Sequence, residues 1–435
     1  MRLKMVVAVA MAIVAGACGG RTPATVATVP GLKAFVGATL IDGTGSVPTA
    51  DAILVVRDGR VEAAGPRGAV ALPEGAETVD LGGRWIVPGL VNAHGHVGDT
   101  SGLESGPQFY TSENLERQLR LYARYGVTSV LSLGGDGPEG FRLRDAQGVP
   151  QLDRARLYLA GPVIAADDLE NAQVAVDAVA DLNPDYIKIR VDDNLGTTPK
   201  MPPGVYRAVI DRAHARSLRV AAHVYYLDDA RALVSAGIDL LAHSVRDRDV
   251  DADLIARMKA RDVCLSPTLM REVSTFVYES RPAFFDDQFF RREADEAVLA
   301  RLEEPARQAQ VAASRAAQQY KKGLQVARRN AKALADAGIR LASGTDTGPP
   351  ARFQGYFEHL ELEQLVEAGL TPMSALLAAT RDAAACIGLG DRAGQLRPGY
   401  DADLLVLTGS PLADIRQTRA LESVWIAGNR VPGRD

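Results

Sequence analysis

The stretch Trp85-Ile86-Val87-Pro88-Gly89-Leu90-Val91-Asn92-Ala93-His94-Gly95-His96 joins an apolar run to two histidines. Side chains alternate along a β-strand, so His94 and His96 would lie on the same face and could bind one metal ion. Short histidine clusters also occur as hydrogen-bonded core or surface residues. The pair therefore needs support from the rest of the chain.

That support comes from four later apolar runs, each with a candidate ligand near its carboxyl end. They are Lys188 in Tyr186-Ile187-Lys188-Ile189, His223 after Leu218–Ala222, His243 after Ile238–Ala242, and Asp346 in Leu341-Ala342-Ser343-Gly344-Thr345-Asp346. Such runs are typical of buried parallel strands that alternate with helices. The carboxyl ends of the strands in a (β/α) barrel form one face, so we expect these side chains to converge there.

This ordered set resembles the amidohydrolase superfamily, specifically its members with two divalent metals bridged by a carboxylated lysine. The family pattern has His-x-His on the first strand, Lys on the fourth, His on the fifth and sixth, and Asp on the eighth. The resemblance extends from about Gly31 to about Val431 and includes the family's usual ending at Gly394–Leu404. The most similar branch contains imidazolonepropionase and prolidase-like dipeptidases. Imidazolonepropionase typically lacks the bridging lysine, so Lys188 favours the two-metal peptidase side.

The predicted fold class is α/β, with a (β/α)8 TIM-like barrel and a small β-sandwich domain formed by both chain ends. The barrel is expected at 86–391 and the β-sandwich at 31–85 and 392–435. After the strand ending at His96, strands are predicted near 127–133, 156–161, 185–190, 219–224, 238–243, 262–266 and 339–345. Ile53–Val56 and Val61–Ala64 flank Arg57-Asp58-Gly59-Arg60, which predicts a hairpin.

An insertion at about 284–335 is rich in Ala, Arg, Glu and Gln and predicts a pair of long helices. These helices would either cover the catalytic face or pack against the side of the barrel.

Composition is typical of a large enzyme with an extensive core. The chain has 435 residues, of which 47% are hydrophobic and 24% charged, enough for a barrel and a smaller module. The net charge of −5 is spread without a basic stripe, which argues against nucleic acid as a partner. The sequence leaves the oligomeric state open, a homo-oligomer included.

Residues 1–20 predict an export signal. Arg2 and Lys4 precede the apolar stretch Met5–Ala17, which is too short to span a bilayer. Ala15-Gly16-Ala17-Cys18 resembles a lipoprotein cleavage box, so the mature protein is expected to be either attached to a membrane through lipidated Cys18 or periplasmic after ordinary cleavage.

The cysteines of the mature chain are widely spaced. Cys264 and Cys386 do not make a disulfide framework, and each lies in an apolar segment. We therefore expect two buried free thiols.

The resemblance implies a specific set of metal ligands. His94, His96 and Asp346 would hold the first metal, His223 and His243 the second, and carboxylated Lys188 would bridge them. Imidazoles and carboxylates suit zinc and other borderline divalent ions. A lysine can join only after its amine loses its charge, since an ammonium has no lone pair.

Three of these candidate ligands could have a purely structural role instead. Lys188 could instead pair with Asp192 or Asp193, and His223 and His243 could be hydrogen-bonded core histidines.

Further residues are candidates for catalysis and substrate binding. Asp346 is expected to accept a proton from the attacking water and pass it to the leaving nitrogen. Tyr225 is two residues after His223 and is our candidate donor to the oxyanion, unless it merely begins the next loop. Arg246 and Arg271 could hold a substrate carboxylate, although either could be a solvated charge. His359, close to Glu361, is a candidate substrate contact, with a capping or surface role as the alternative.

The predicted function is hydrolysis of an amide C–N bond in a dipeptide or an N-acyl amino acid. One alternative is a cyclic amide or lactone hydrolase similar to imidazolonepropionase. Another is a metal-bearing lipoprotein that binds a ligand without turnover, against which the proposed proton shuttle at Asp346 argues.

Overall fold

The computed structural model describes residues 29–433, so the predicted export signal and Cys18 lie outside the described residues. The strands are β1 Leu32–Leu40, β2 Thr49–Arg57, β3 Arg60–Pro66, β4 Glu77–Asp80, β5 Trp85–Pro88, β6 Leu90–Gly95, β7 Thr100–Ser101, β8 Glu104–Ser105, β9 Val127–Ser132, β10 Arg156–Leu159, β11 Ile187–Arg190, β12 Val220–His223, β13 Leu240–Ala242, β14 Cys264–Ser266, β15 Leu404–Leu407, β16 Leu421–Ile426 and β17 Asn429–Arg430.

The α-helices are α1 Ser112–Arg124, α2 Pro138–Asp145, α3 Leu169–Ala180, α4 Pro203–Ala215, α5 Leu227–Ala236, α6 Ala252–Arg261, α7 Leu269–Phe276, α8 Gln288–Arg291, α9 Glu296–Leu302, α10 Pro305–Ala313, α11 Arg315–Asp336, α12 Tyr356–Glu367, α13 Pro372–Ala378 and α14 Arg381–Cys386. Short 3-10 helices lie at Pro107–Phe109, Val277–Glu279, Ala283–Asp286 and Ile415–Arg419. None of the helices in residues 29–433 combines the length and apolar character needed to cross a bilayer.

The parallel strands form two sheets, β10-β9-β6 and β11-β12-β13-β14. Isolated backbone contacts extend from the outer strands of these sheets. Next to β11, Ile164, which follows β10, donates its N–H to Lys188 O (2.9 Å). Next to β14, Leu265 pairs with Leu341. These strands and the helices between them make an α/β fold.

The predicted eighth strand is less regular than expected. The segment after Leu341 lies between β14 and β6 but pairs through isolated bridges, including Gly95 with Thr347, rather than as a continuous ladder. One reason is that Asp346 has a φ of 57°, which turns the chain away from an extended course. Gly344 allows the close approach here, since a Cβ at that position would lie 2.7 Å from His94 Cβ.

Both ends of the described chain contribute to one further sheet, in the order β17-β16-β15-β5-β1-β2-β3, with β4 also paired to β1. The predicted hairpin is confirmed, because β2 and β3 pair antiparallel with Arg57 opposite Arg60. Alternate residues of β1 enter two different apolar clusters, one containing Phe35 and the other Ala34 and Val36. Strand β5 leads directly into β6, which connects this sheet to the parallel strands.

The insertion does not form the predicted pair of long helices. Its first half consists of the short helices α8, α9 and α10, and only α11 is long, with 22 residues. The reason is local capping and proline chemistry. Asp287, Asp295 and Ser314 cap helix starts, and Pro305 opens α10.

The prediction of two free thiols is also wrong. Cys264 and Cys386 are both buried, as expected, but they form a disulfide across a sequence separation of 122. Tertiary folding brings the first residue of β14 against the last residue of α14, a proximity that spacing along the chain could not reveal.

Candidate metal centre and active site

The six predicted metal ligands come together around Asp346. The Oδ1 atom of Asp346 is 2.9 Å from His96 Nε2 and 3.5 Å from His94 Nε2. Lys188 Nζ lies 3.4 Å from the same nitrogen of His94. The ring of His243 is centred 4.7 Å from that of His94 and 4.1 Å from that of His223. Sequence reasoning therefore selected side chains that lie in one cluster.

The donors in this cluster fit a metal ion. One ligand atom from each of His94, His243 and Asp346 can be chosen so that all three lie within 4.8 Å of one another. His243 Nδ1 is 2.6 Å from the Thr268 hydroxyl, while His243 Nε2 is buried and has no hydrogen-bond partner among the described residues. A histidine held at one ring nitrogen with the other free is the usual arrangement of a metal ligand.

Two other histidines are also held at one ring nitrogen. His96 Nδ1 lies 3.0 Å from Gly134 O, and His223 Nε2 lies 2.9 Å from Asp192 Oδ2. Asp192 is buried and also accepts from Arg190 Nε and Asn194 N. Asp192, which the sequence offers as a candidate partner of Lys188, instead orients His223.

Lys188 is deeply buried, and burial lowers its pKa to about 8. The alternative ion pair with Asp192 or Asp193 is not formed, since Asp192 contacts His223 and Asp193 accepts from the Tyr226 hydroxyl. Within the cluster, Lys188 Nζ lies 3.4 Å from His94 Nε2.

The backbone at the centre is unusual. His243 and Asp346 have φ values of 94° and 57°, and Thr268, which contacts His243, has 49°. Residues other than glycine rarely adopt this left-handed region, and such strain tends to collect at functional sites. Hydrogen bonds hold the conformation, with Asp346 N donating to His94 O (2.7 Å) and His243 N to Ser266 O (2.9 Å).

Two arginines approach Asp346 from outside the ligand cluster. Arg352 donates to its carboxylate and to its backbone carbonyl, and Arg271 Nε lies 3.9 Å from Oδ2. Burial alone would raise the pKa of Asp346, but Arg352 and the neighbouring histidines hold it well below its usual range. Sequence reasoning missed Arg352, which follows Asp346 in a loop with no informative pattern.

Comparison with known proteins agrees with this geometry. The model of the amidohydrolase family matches residues 85–431. The chain belongs to the amidohydrolase family. Members of this family are generally metal-dependent hydrolases, and the chain is therefore a hydrolase of amide or related C–N bonds.

Individual relatives give a similar picture. An uncharacterised protein of Mycobacterium tuberculosis is 29% identical over 354 residues, covering 78% of this chain and 82% of that protein. Ochratoxinase of Aspergillus niger is 40% identical over 102 residues, covering 22% of this chain and 20% of the enzyme. Among solved structures, a protein from Bifidobacterium longum assigned as a prolidase superposes with a TM-score of 0.74 at 25% identity, covering 93% of this chain and 96% of that one.

In this amidohydrolase, Tyr225 lies beside the insertion. Tyr225 is buried, and its hydroxyl accepts a hydrogen bond from Gln319 Nε2 (3.2 Å). Its ring lies 4.9 Å from the Arg246 guanidinium. Tyr225 therefore does more than begin a loop, and whether its hydroxyl serves an oxyanion stays a prediction.

The two candidate substrate arginines share a partner. Arg246 Nη1 donates to Glu272 and Nη2 to Val224 O, and Arg271 bonds Glu272 through Nη1. In both side chains the buried Nε has no hydrogen-bond partner among the described residues. Whether either arginine holds a substrate carboxylate stays a prediction.

The prediction of a substrate contact at His359 is wrong. This side chain is fully buried, with Nδ1 3.0 Å from the Thr418 hydroxyl and Nε2 2.7 Å from Tyr125 O. Its neighbour Glu361 caps α7 by accepting from Leu269 N and Met270 N. Both residues stabilise packing of α12, and neither is available to a substrate.

Proposed function

We propose that this amidohydrolase uses divalent metal to cleave the amide C–N bond of a dipeptide or an N-acyl amino acid. The observation that carries the proposal is one continuous cluster, in which His94 and His96 contact Asp346, His243 lies against His94, and His223 lies against His243, with a buried ring nitrogen on His243 that has no partner among the described residues. A merely structural histidine cluster would have its buried nitrogens satisfied.

The proposed architecture is a (β/α)8 barrel at 86–391 with a β-sandwich built from 31–85 and 392–435. The contacts that connect the two parallel sheets on both sides support ring closure, since Ala93 N also donates to Ser343 O (2.9 Å). The similarity in fold to the Bifidobacterium longum protein over 93% of the chain supports it as well.

The residues present fit two divalent ions, for which zinc is our proposal. His94, His96 and Asp346 would hold one, His223 and His243 the other, and Lys188, carboxylated on Nζ, would lie between them. When bound, the ions lower the pKa of the attacking water and polarise the substrate carbonyl.

The side chains around the ions supply the rest of the chemistry. Asp346 accepts the proton of the attacking water and delivers it to the leaving nitrogen. Tyr225 donates to the oxygen on which negative charge develops. Arg271 contributes its free Nε to a substrate carboxylate, which suits a dipeptide or an N-acyl amino acid.

The similarity to a protein assigned as a prolidase supports a dipeptide substrate. A cyclic amide or lactone remains the second candidate, because the same ligand set could serve it. The binder without turnover is not favoured, since the family is one of hydrolases.

We also propose that the enzyme works outside the cytoplasm, either periplasmic or attached through lipidated Cys18. The Cys264–Cys386 disulfide supports this, because structural disulfides persist mainly in oxidising compartments.

The test is metal content and turnover in wild type and Lys188→Ala, both purified with bicarbonate. Lys200→Ala is the matched control, since Lys200 is an exposed lysine paired with Asp229. We expect about two metals per chain in wild type and in the control, with loss of metal and of activity in Lys188→Ala. Hydrolysis of X-Pro, X-Arg and N-acetyl amino acid panels then assigns the substrate. One metal or none in wild type, unaffected by removing Lys188, would contradict the bridged centre and favour a single-metal cyclic amide hydrolase.

A further inference from the structure

Helix α11 of the insertion contacts the loops that follow three successive parallel strands. Gln319 reaches Tyr225 after β12, and Tyr320 reaches Arg271 after β14. Farther along, Asn330 Nδ2 donates to Val245 O (2.9 Å) and Arg248 O (3.0 Å) after β13. The helix therefore lies against the carboxyl ends of the strands, where the candidate ligands are.

Two arginines under the start of α11 share one buried carboxylate, that of Glu272. Arg246 also interacts electrostatically with Asp192. Arg271 has Asp346 as its next carboxylate, with Oδ2 3.9 Å from Arg271 Nε, and Asp346 belongs to the ligand cluster. The buried Nε of Arg271 thus has no hydrogen-bonded carboxylate among the described residues, and an anionic group of a substrate would complement it.

Tyr320 packs against Arg271, the side chain that would bind such an anionic group. Its ring lies 4.1 Å from the Arg271 guanidinium carbon, a cation–π contact. A ring over one face of the guanidinium leaves its in-plane N–H donors exposed at the edge. Glu272 takes Nη1, and the buried Nε has no hydrogen-bond partner among the described residues.

Gln319 has a comparable effect on Tyr225. Its Nε2 donates to the Tyr225 hydroxyl oxygen, so the hydroxyl proton itself is not consumed by this contact. The hydroxyl can therefore donate to a substrate oxygen while it is held in place.

We propose that Tyr320 and Gln319 are positioning residues of the active site, with Tyr320 orienting Arg271 toward a substrate carboxylate and Gln319 orienting the Tyr225 hydroxyl. This rests on the proposed amide hydrolysis. It makes the long helix of the insertion a determinant of substrate class, with selection for substrates that carry a carboxylate near the scissile bond.

The experiment compares a dipeptide that wild type cleaves with the same dipeptide as its carboxamide. Steady-state kinetics are measured for wild type, Tyr320→Ala, Tyr320→Phe, Gln319→Ala and Gln318→Ala, with metal content and circular dichroism for each. Gln318 is the matched control, because it is the neighbouring glutamine on α11 and contacts Glu279 and Ala312 O instead.

We expect Tyr320→Ala to reduce the preference for the free carboxylate by about tenfold, mainly through KM, as expected from loss of one buried cation–π contact. Tyr320→Phe keeps the ring and should keep the preference. Gln319→Ala should lower kcat by roughly tenfold on both substrates with little change in KM, the sign of an interaction made in the transition state. Gln318→Ala should behave as wild type.

An equal loss on both substrates in Tyr320→Ala, or an unchanged ratio in a folded and metal-loaded variant, would overturn the role of Tyr320. Unchanged kcat in Gln319→Ala would overturn that of Gln319. If wild type cleaves no amide in the panels, the proposed function fails before any variant is compared, so the two failures are distinguishable.

Discussion

At the carboxyl ends of the parallel strands, ionisable side chains cluster around Asp346, and two of the candidate ligands have left-handed backbone. At the amino ends, helix α14 packs Ala383 and Ala384 into an apolar cluster with inward residues of the strands. There the Cys386 carbonyl accepts from the Tyr186 hydroxyl (3.0 Å), and its sulfur is bonded to Cys264. Buried ring nitrogens without a partner among the described residues, on His94 and His243, thus lie where ligands would bind, while a disulfide and apolar packing hold the opposite end.

At the carboxyl ends of the strands, the largest loss of activity is expected for Asp346→Asn. This change keeps the shape of the side chain but removes the proton acceptor, so we expect kcat on the cleaved amide to fall by about 10²–10⁴-fold. Because the change also removes the buried ion pair with Arg352, the free energy of unfolding should fall too, so kcat is measured at a temperature where the variant is folded. Residual activity within threefold of wild type would show that Asp346 is not the proton shuttle.

At the amino ends of the strands, we expect a substitution to lower stability and to leave activity unchanged. Replacing both Cys264 and Cys386 by alanine should lower the free energy of unfolding by about 2–4 kcal/mol, because the bond closes a long loop in the unfolded chain. At a temperature where the variant stays folded, kcat and metal content should equal those of wild type. Peptide mapping under non-reducing conditions checks the bond itself, and two free thiols in the protein purified without reductant would contradict it.

A smaller effect on catalysis is expected for Asp192→Asn. Loss of the carboxylate that holds His223 Nε2 should cost about 10–100-fold in metal affinity or activity, as for other residues that orient metal ligands. Asp193→Asn is the control, since the Asp193 side chain accepts from the Tyr226 hydroxyl and has no contact with a candidate ligand among the described hydrogen bonds. Equal effects of the two substitutions would mean that Asp192 acts through general electrostatics.

The smallest effect concerns pH. Burial raises the pKa of Glu361 to about 8, above the ordinary value of about 4.5 for a glutamate. The folded state therefore favours the protonated carboxyl, and this contribution is complete below about pH 4.5 and is lost as pH rises through about 8. Thermal melts of Glu361→Gln should show a weaker decline in stability over this window than wild type. Parallel pH profiles in the two proteins would refute the assignment.

Prediction from sequence succeeded where a short stretch of chain carries the whole signal. His94, Lys188 and His223 each end or interrupt an apolar run, and their order along the chain matches the family. The hairpin of β2 and β3 was likewise readable, because Asp58-Gly59 favours the positive φ values that its tight turn adopts.

Prediction failed where the partner lies far away in sequence. His359 stands close to Asp346 in the chain, yet its ring nitrogens face Thr418 and Tyr125 O inside the packing of α12. The direction of a side chain depends on such contacts and not on its place in a motif.

The sequence by itself determined the family, the run of parallel strands and the six candidate ligands, because apolar periodicity and ligand chemistry are local properties of the chain. Only the tertiary structure decided that Cys264 meets Cys386, that Asp192 holds His223, and that the start of α11 reaches Tyr225 and Arg271. These contacts join segments that are adjacent only after folding, since their proximity follows from how helices and loops pack over the strands.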